Sequence, residues 1–391
     1  MDIQSKVSNR VKSIKPSGIR KFSDYAQTFD HVISLGIGEP DFATPERISE
    51  AGIKAIQEAH THYTNNRGLL ELRQAICDYY QNSYQVSYDP ETECLVTVGS
   101  SEGIDLAIRM LIDPGDEIVL TDPGYVAYES AVKVANGKII KLPLDGSHDF
   151  KVTPEALEAV LTPKTKVLLL NYPNNPTGAN MSHEDLAKLV PIIKDHELIV
   201  ISDEIYSELS YDEPYCSLAS FDDIKQQVIT INGFSKAFAM TGWRLGYILG
   251  DPYFISEMLK IHQFGIICAP AFAQYAALEG LRHGHDDVAS MHDEYLERRN
   301  YLVKTLNALG LPTFMPKGAF YVFVNIQSTH MTSVEFAVAL LKDQRVAVTP
   351  GDAFGDRGEG FIRISYAYSL DKLQMAMEKL SVFLDHLKAD K

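Results

Sequence analysis

Two cations close together in the chain are the residues best placed to do chemistry. Lys236 lies in Gly233-Phe234-Ser235-Lys236, and Arg244 in Thr241-Gly242-Trp243-Arg244-Leu245-Gly246. Val228-Ile229-Thr230-Ile231 before the lysine reads as a buried strand, and Leu245-Gly246-Tyr247-Ile248-Leu249 after it reads as another. A lysine at the end of a core strand is partly desolvated, which lowers its pKa and makes it a nucleophile toward aldehydes. The arginine offers a planar charged fork suited to a phosphate. An aldehyde that carries a phosphate would fit such a pair. The plain alternative is a solvated surface lysine, so other residues must decide.

The elements that would position these groups follow from periodicity. Short apolar runs alternate with amphipathic stretches between about residues 90 and 250. Candidate strands are Leu95 to Val98, Glu117 to Leu120, Lys138 to Leu142, Val167 to Leu170, Leu198 to Ile201, Val228 to Ile231 and Leu245 to Leu249. Most are continuous Val/Ile/Leu runs, as expected for strands covered on both faces. Ile104 to Ile112 reads as a helix stopped by Asp113-Pro114-Gly115-Asp116, and Ser182 to Lys194 as another with Ser182 as its N-cap. The fold class is therefore α/β, with a mostly parallel seven-stranded sheet sandwiched by helices. From about Ala289 the pattern changes to a long helix (Ser290 to Leu309), short strands (Phe320 to Val324, Val346 to Val348, Phe361 to Ile364) and a last helix from Leu370 to Leu387. This reads as a smaller α+β domain. The expected division is an N-terminal arm over 1–45 that packs with the small domain, a large domain over 46–288, and the small domain over 289–391.

Ligands of open α/β sheets bind outside the carboxyl ends of the strands. After Leu95 to Val98 come Gly99-Ser100-Ser101-Glu102-Gly103 and a helix, either a phosphate cradle or a simple tight turn. After Glu117 to Leu120 comes Tyr125, which would stack on a flat ring or pack at the core edge. Asn175 follows Val167 to Leu170 in a loop held by Pro173, Pro176 and Gly178, and would hold a ring hydroxyl or serve the turn. Asp203 follows Leu198 to Ile201, where a buried carboxylate needs a cation such as a protonated pyridine nitrogen, or acts as an N-cap or in an ion pair. Tyr206 would then reach the ring's phenolic oxygen. Taken together these groups meet every demand of pyridoxal 5′-phosphate.

The sequence here resembles the class I/II aminotransferases, the fold-type I pyridoxal-phosphate enzymes. The resemblance is nearly full length. It rests on the Gly233 to Gly246 lysine signature, Gly36-Ile37-Gly38-Glu39-Pro40-Asp41, Tyr63 with Gly68 and Leu72-Arg73, Asn174-Asn175-Pro176-Thr177-Gly178, Asp203-Glu204-Ile205-Tyr206 and Arg363-Ile364-Ser365. It implies that Lys236 binds the cofactor aldehyde and later moves the proton. Asp203 would pair with the pyridine nitrogen, Asn175 and Tyr206 would hold the ring hydroxyl, and Tyr125 would stack on the ring. Ser100, Ser101, Ser235 and Arg244 would bind the phosphate, with Tyr63 reaching it from the partner subunit of a homodimer with shared active sites. Arg363 would clamp the substrate α-carboxylate, with the Gly38 backbone nearby. Many family members carry serine where Gly233 stands, so one phosphate hydroxyl is absent here.

The implied reaction moves the amino group of an L-amino acid to a 2-oxo acid, with 2-oxoglutarate as acceptor. The overall look is closest to bacterial aromatic-type and N-acetyl-diaminopimelate-type aminotransferases. Some aspartate-preferring relatives carry a lysine in the cradle where this chain has Ser101, which disfavours a dicarboxylic substrate without excluding it. His262, Phe264 and Ile266 either line the substrate pocket from the partner subunit or pack in the core. A C–S β-lyase of the same fold is the nearest alternative. A serine hydrolase is a remote one: Gly99-Ser100-Ser101-Glu102-Gly103 matches the GxSxG elbow around Ser101, but the late histidines, His330 and His386, sit beside or within helices.

Bulk properties exclude other classes. The formal net charge of −16 argues against a nucleic-acid or anionic-membrane surface. Cys77, Cys94, Cys216 and Cys268 form no CxxC pair, so neither a disulfide framework nor a metal site is expected, and a cytoplasmic setting is the natural one. No apolar run is long enough to span a bilayer.

Overall fold

The computed structural model describes residues 1–16 and 18–389. Among these residues twelve strands form three sheets: β1 (Ile33–Ser34), β2 (Cys94–Thr97), β3 (Glu117–Asp122), β4 (Lys138–Pro143), β5 (Thr165–Asn171), β6 (Ile199–Asp203), β7 (Val228–Gly233), β8 (Gly246–Leu249), β9 (Tyr321–Asn325), β10 (Val346–Ala347), β11 (Thr349–Pro350) and β12 (Phe361–Ser365). The large sheet has the order β2-β8-β7-β6-β5-β3-β4. It is mostly parallel, with β8 antiparallel to both of its neighbours.

Apolar side chains alternate between its two faces. In β5, Val167 and Leu169 enter one core cluster and Leu168 and Leu170 the other. Ile201 and Val200 of β6 divide the same way, as do Ile118 and Val119 of β3. Strands covered on both faces have no need of a polar alternation, which is why these runs are continuously apolar. The chain reverses its direction of winding at β3, with β4 added outside and β5 inside. A crevice opens at such a switch point, at the carboxyl ends of the strands.

The local signals hold in detail. Asp185 N–H donates to Ser182 Oγ at 3.2 Å and Ser182 N–H to the Asp185 carboxylate at 3.1 Å, closing a capping box on the helix His183–Asp195. The helix after β2 starts at Ser100, four residues before the apolar pattern begins, because the Gly99 turn already directs the chain. The helix His285–Ala308 likewise begins before the expected Ser290, with Asp286 and Asp287 in its first turn where carboxylates favour the N-terminus. β6 runs on through Asp203, so this carboxylate belongs to the sheet and does not merely follow it; its Cα pairs with those of Asn171 and Ile231.

A separate apolar cluster joins β9, β12 and the helices Ser333–Gln344 and Leu370–Ala389, and Leu35 enters it. β1 runs parallel to β10, Leu35 N–H donates to Ala347 O at 2.8 Å, and Ser365 N–H donates to Leu35 O at 2.8 Å. The Gly36–Gly38 segment is thereby laid across the crevice.

Directly behind Asp203, Glu204 is fully buried. Tyr80, Ser202 and Ser217 hydroxyls donate to it at 3.1, 3.0 and 2.8 Å, and no cation pairs with it among the described residues. Burial pushes its carboxyl up from 4.5 to about 7, against the pull of these hydroxyls. The folded protein therefore keeps a proton that the unfolded chain releases. This stabilisation is complete below about pH 4.5 and is lost as pH rises through 7; it is worth at most ~3 kcal/mol. For Glu204→Gln we expect the thermal midpoint to gain on wild type steadily from pH 5 to pH 8. Parallel midpoint-against-pH curves would show that Glu204 does not titrate in the fold.

Candidate active site

Eleven of the twelve residues to which the resemblance gives a cofactor or substrate role line one cavity of about 750 Å³ at the carboxyl edge of the large sheet. Tyr63 is the exception. It is 78% exposed and lies outside the cavity of its own chain.

Lys236 sits on the turn that leaves β7, at the cavity wall. Its Nζ donates to Gly38 O at 2.7 Å. Burial lowers its amine from 10.5 to about 8, and Arg363 and Arg244 push the same way, while Glu39 and Asp203 oppose them. The amine thus gives up its proton more readily than an exposed lysine does.

Asp203 is buried at the end of β6. Tyr128 Oη donates to its Oδ2 at 2.7 Å and Ile205 N–H to its Oδ1 at 3.2 Å. Burial nevertheless raises its carboxyl to about 6. Among the described residues it forms no ion pair, so the site holds a carboxylate that lacks a bonded cation.

Arg363, on β12, presents the converse. It is buried, with Nη1 donating to Asn175 Oδ1 at 2.7 Å and Nη2 to Gly36 O at 2.6 Å. Its guanidinium lies 4.3 Å from the Tyr321 ring centre and 4.7 Å from that of Phe354. Its Nε has no partner, and no carboxylate is bonded to it among the described residues. A buried guanidinium with an unfilled donor calls for an anion.

Asn175 is set by Asn171, whose Oδ1 accepts the Asn175 N–H at 3.0 Å and whose Nδ2 donates to Asp203 O at 3.0 Å. Thr177 Oγ1 donates to Asn174 Oδ1 at 2.7 Å and stiffens the same loop. Tyr206 Oη and Tyr321 Oη lie 2.8 Å apart, both buried. Tyr125 flanks the cavity edge-on to Tyr128, with ring centres 5.4 Å apart.

At the other end Ser100 and Ser101 open the helix Ser100–Leu111. Gly99 takes φ +77°, which favours glycine, and a Cβ there would stand 2.7 Å from Arg244 Nη2, so a side chain would push the guanidinium away from the helix N-terminus. Arg244 itself has φ +53°, an uncommon conformation for a residue with a side chain. Its Nη1 donates to Thr241 O at 3.0 Å. Ser235 completes this corner, buried one residue before the lysine.

Three residues of the site were missed in the sequence. Tyr128 lies one helical turn beyond Tyr125, and that spacing was its signal. Tyr321 is the polar aromatic of an apolar strand. Arg20 reaches the cavity from the helix Gly18–Ala26, and nothing local announces it. His262 is fully buried, with Nδ1 donating to Glu102 Oε1 at 2.8 Å behind the cradle, so it packs in the core. Core packing does not describe Phe264 and Ile266, which are 88% and 43% exposed. His330 and His386 lie outside the cavity, and His386 pairs with Asp343 at 2.9 Å, so neither joins Ser101 in a hydrolytic arrangement.

The family model for aminotransferases of class I and II matches residues 30–380. YugH of Bacillus subtilis (strain 168), named as an aminotransferase, is 47% identical over 97% of this chain and 98% of its own. A second Bacillus subtilis protein, named as an N-acetyl-LL-diaminopimelate aminotransferase, is 42% identical over 96% of this chain and 95% of its own. The crystal structure of the aromatic aminotransferase from Pyrococcus horikoshii OT3 superposes with a TM-score of 0.90 at 42% identity, covering 94% of this chain and 99% of that one. The chain belongs to the class I and II aminotransferases, a family that generally uses pyridoxal phosphate, and is an aminotransferase.

Proposed function

We propose that this aminotransferase holds pyridoxal 5′-phosphate in the cavity and passes the amino group of an L-amino acid to 2-oxoglutarate in two half-reactions. The observation that carries this is one cavity with a buried carboxylate lacking a bonded cation, a lysine lowered to about 8 and a buried arginine with an unfilled donor. Each is costly alone. A ligand with a pyridinium nitrogen, an aldehyde and a phosphate, followed by a substrate carboxylate, meets all of them.

The residues fit that group. Asp203 would pair with the ring nitrogen, and the opposite charge would return its carboxyl to the ionised form. Asn175 and Tyr206 would hold the ring hydroxyl and Tyr125 the ring face. Ser100, Ser101, Ser235 and Arg244 surround the phosphate corner. When bound, the cofactor supplies an aldehyde for amines and a ring that accepts the electrons of a broken C–H bond. The protein supplies the rest. Lys236 Nζ, once unprotonated, takes the substrate α-proton and later returns it. Arg363 fixes the α-carboxylate through its open edge, with Asn175 Oδ1 and Gly36 O preventing rotation of the fork. Tyr321 Oη, bonded to Tyr206 Oη, holds that phenol in place.

The donor is an aromatic amino acid or N-acetyl-diaminopimelate, the substrates named for two relatives of about 42% identity. The assembly is a cytoplasmic homodimer in which the exposed Tyr63 of each subunit completes the other's phosphate corner; exposed Phe264 and Ile266 would lie at its interface. Among the described residues no helix is long and apolar enough to cross a membrane.

With added pyridoxal phosphate the purified protein should be yellow, and a panel of amino donors with 2-oxoglutarate should reveal the substrate. Lys236→Ala is expected to lower kcat by at least about 10²–10⁴-fold, the usual worth of positioned acid–base transfer. Turnover at the wild-type level would remove Lys236 from the reaction. Arg363→Ala is expected to raise KM for every amino acid by about 10–100-fold, the loss of a charge-assisted bidentate contact. An unchanged KM would place the carboxylate clamp elsewhere.

A further inference from the structure

We infer that His262, acting through Glu102, is a positioning residue for the phosphate corner. This rests on the cofactor site proposed above and adds to it the groups that hold the cradle in shape. Neither side chain lines the cavity.

The cradle is a turn that must keep its donors free. The first N–H groups of a helix have no partner within it. Those of Ser100 and Ser101 bond to nothing among the described residues, so they remain for an anion. The rest of the turn is bonded. Gly99 N–H donates to Thr97 O at 2.9 Å, Thr97 Oγ1 to Gly99 O at 3.0 Å and Glu102 N–H to Gly99 O at 3.2 Å. Val98 N–H donates to Glu102 Oε2. The N-cap residue, Gly99, has no side chain to bond to the helix, so Glu102 ties the first turn back to the strand end.

Glu102 in turn needs holding. Its long side chain is 12% exposed, so water competes for the carboxylate. His262 Nδ1 meets its other oxygen, Oε1, at 2.8 Å. His262 Nε2 is buried without a partner. A buried N–H lacking an acceptor is the rarer and costlier orphan, so the ring proton belongs on Nδ1, aimed at Glu102. The imidazole is itself fixed. It shares a helix face with Ile255 and Met258, which enter the same core cluster as Ile104 and Ile108 of the cradle helix. Its carbonyl accepts Ile266 N–H at 2.8 Å. A polar ring on a core face, with one nitrogen unfilled, is a poor choice for packing alone. What the position gains is the bond to Glu102.

The test is ligand affinity of the apoenzyme, read by absorbance titration with pyridoxal phosphate and with pyridoxal, which lacks the phosphate. We expect His262→Leu to raise the Kd for pyridoxal phosphate by about 5–30-fold and that for pyridoxal by less than about twofold. Glu102→Ala should shift the same preference, and adding His262→Leu to it should cost nothing further, because the histidine acts through the glutamate. His262→Asn, which keeps an N–H near the Nδ1 position, should recover part of the loss. Equal losses for the two ligands would overturn the inference and leave the pair a packing contact. Additive losses in the double variant would overturn it too. Should His262→Leu fail to fold, Glu102→Ala decides by the same preference, and an unchanged preference there sinks the inference. A wild type that binds pyridoxal as tightly as pyridoxal phosphate would fail at the phosphate corner, taking this inference with it but leaving Lys236 in place. A wild type that takes up neither would overturn the cofactor reading itself, and this inference would fall with it.

Discussion

Desolvation of charge is the constraint on which this structure turns. Asp203 and Arg363 are buried and Lys236 is partly buried, without an oppositely charged group bonded to any of them among the described residues. Such an arrangement is unfavourable in itself, and neutral dipoles hold it together. Asp203 has a phenol and a backbone N–H, Arg363 has an amide oxygen and a carbonyl, and Lys236 has the carbonyl of Gly38. These contacts orient the groups but do not neutralise them. The residual cost is a standing preference for ligands of the complementary charge, the form that binding energy takes at a preorganised site.

Tyr321 ties the parts of this arrangement together. Its hydroxyl meets that of Tyr206, and its ring supports the Arg363 guanidinium. A Cβ on residue 38 would fall 2.2 Å from the same hydroxyl. The Gly38 carbonyl that receives the Lys236 amine can lie there only because residue 38 has no side chain. The carboxylate clamp, the phenol of Tyr206 and the lysine are therefore braced by one buried aromatic. The wall it belongs to comes from the C-terminal part of the chain, whereas Lys236, Asp203 and Tyr206 come from the large sheet and its adjoining turns.

Much of this was legible before any coordinates. The end of an apolar strand run and the turn chemistry after it can be read from a few neighbouring residues, so the location of strand-end groups follows from local pattern. Asn175, Tyr125, Ser100 and Lys236 were placed on that basis, and each lines the cavity. The errors were local as well. Asp203 was read as following its strand, yet β6 continues through it, because polar residues at a buried strand end break the apolar pattern without ending the backbone pairing. Core packing was an open reading for His262, Phe264 and Ile266 alike. It describes the histidine, whose ring bonds to Glu102, and not the other two: Phe264 lies two positions on, on another face of the helix Pro252–Gly265, and Ile266 stands just past that helix's end.

The sequence by itself determined which chemical groups stand at the strand ends, and hence the cofactor type that the chain is suited to hold. Periodicity and turn chemistry act over a few residues, and those groups are arranged at that range. Only the tertiary structure decided which remote groups join them. Arg363 lies in a separate three-stranded sheet, and Arg20 on a helix near the start of the chain. Both reach the cavity because β1 pairs with β10 and the Leu35 backbone bonds to Ala347 and Ser365. Pairings between segments so far apart in the chain depend on apolar burial and on the backbone hydrogen bonds that burial makes obligatory. No local run of residues records them.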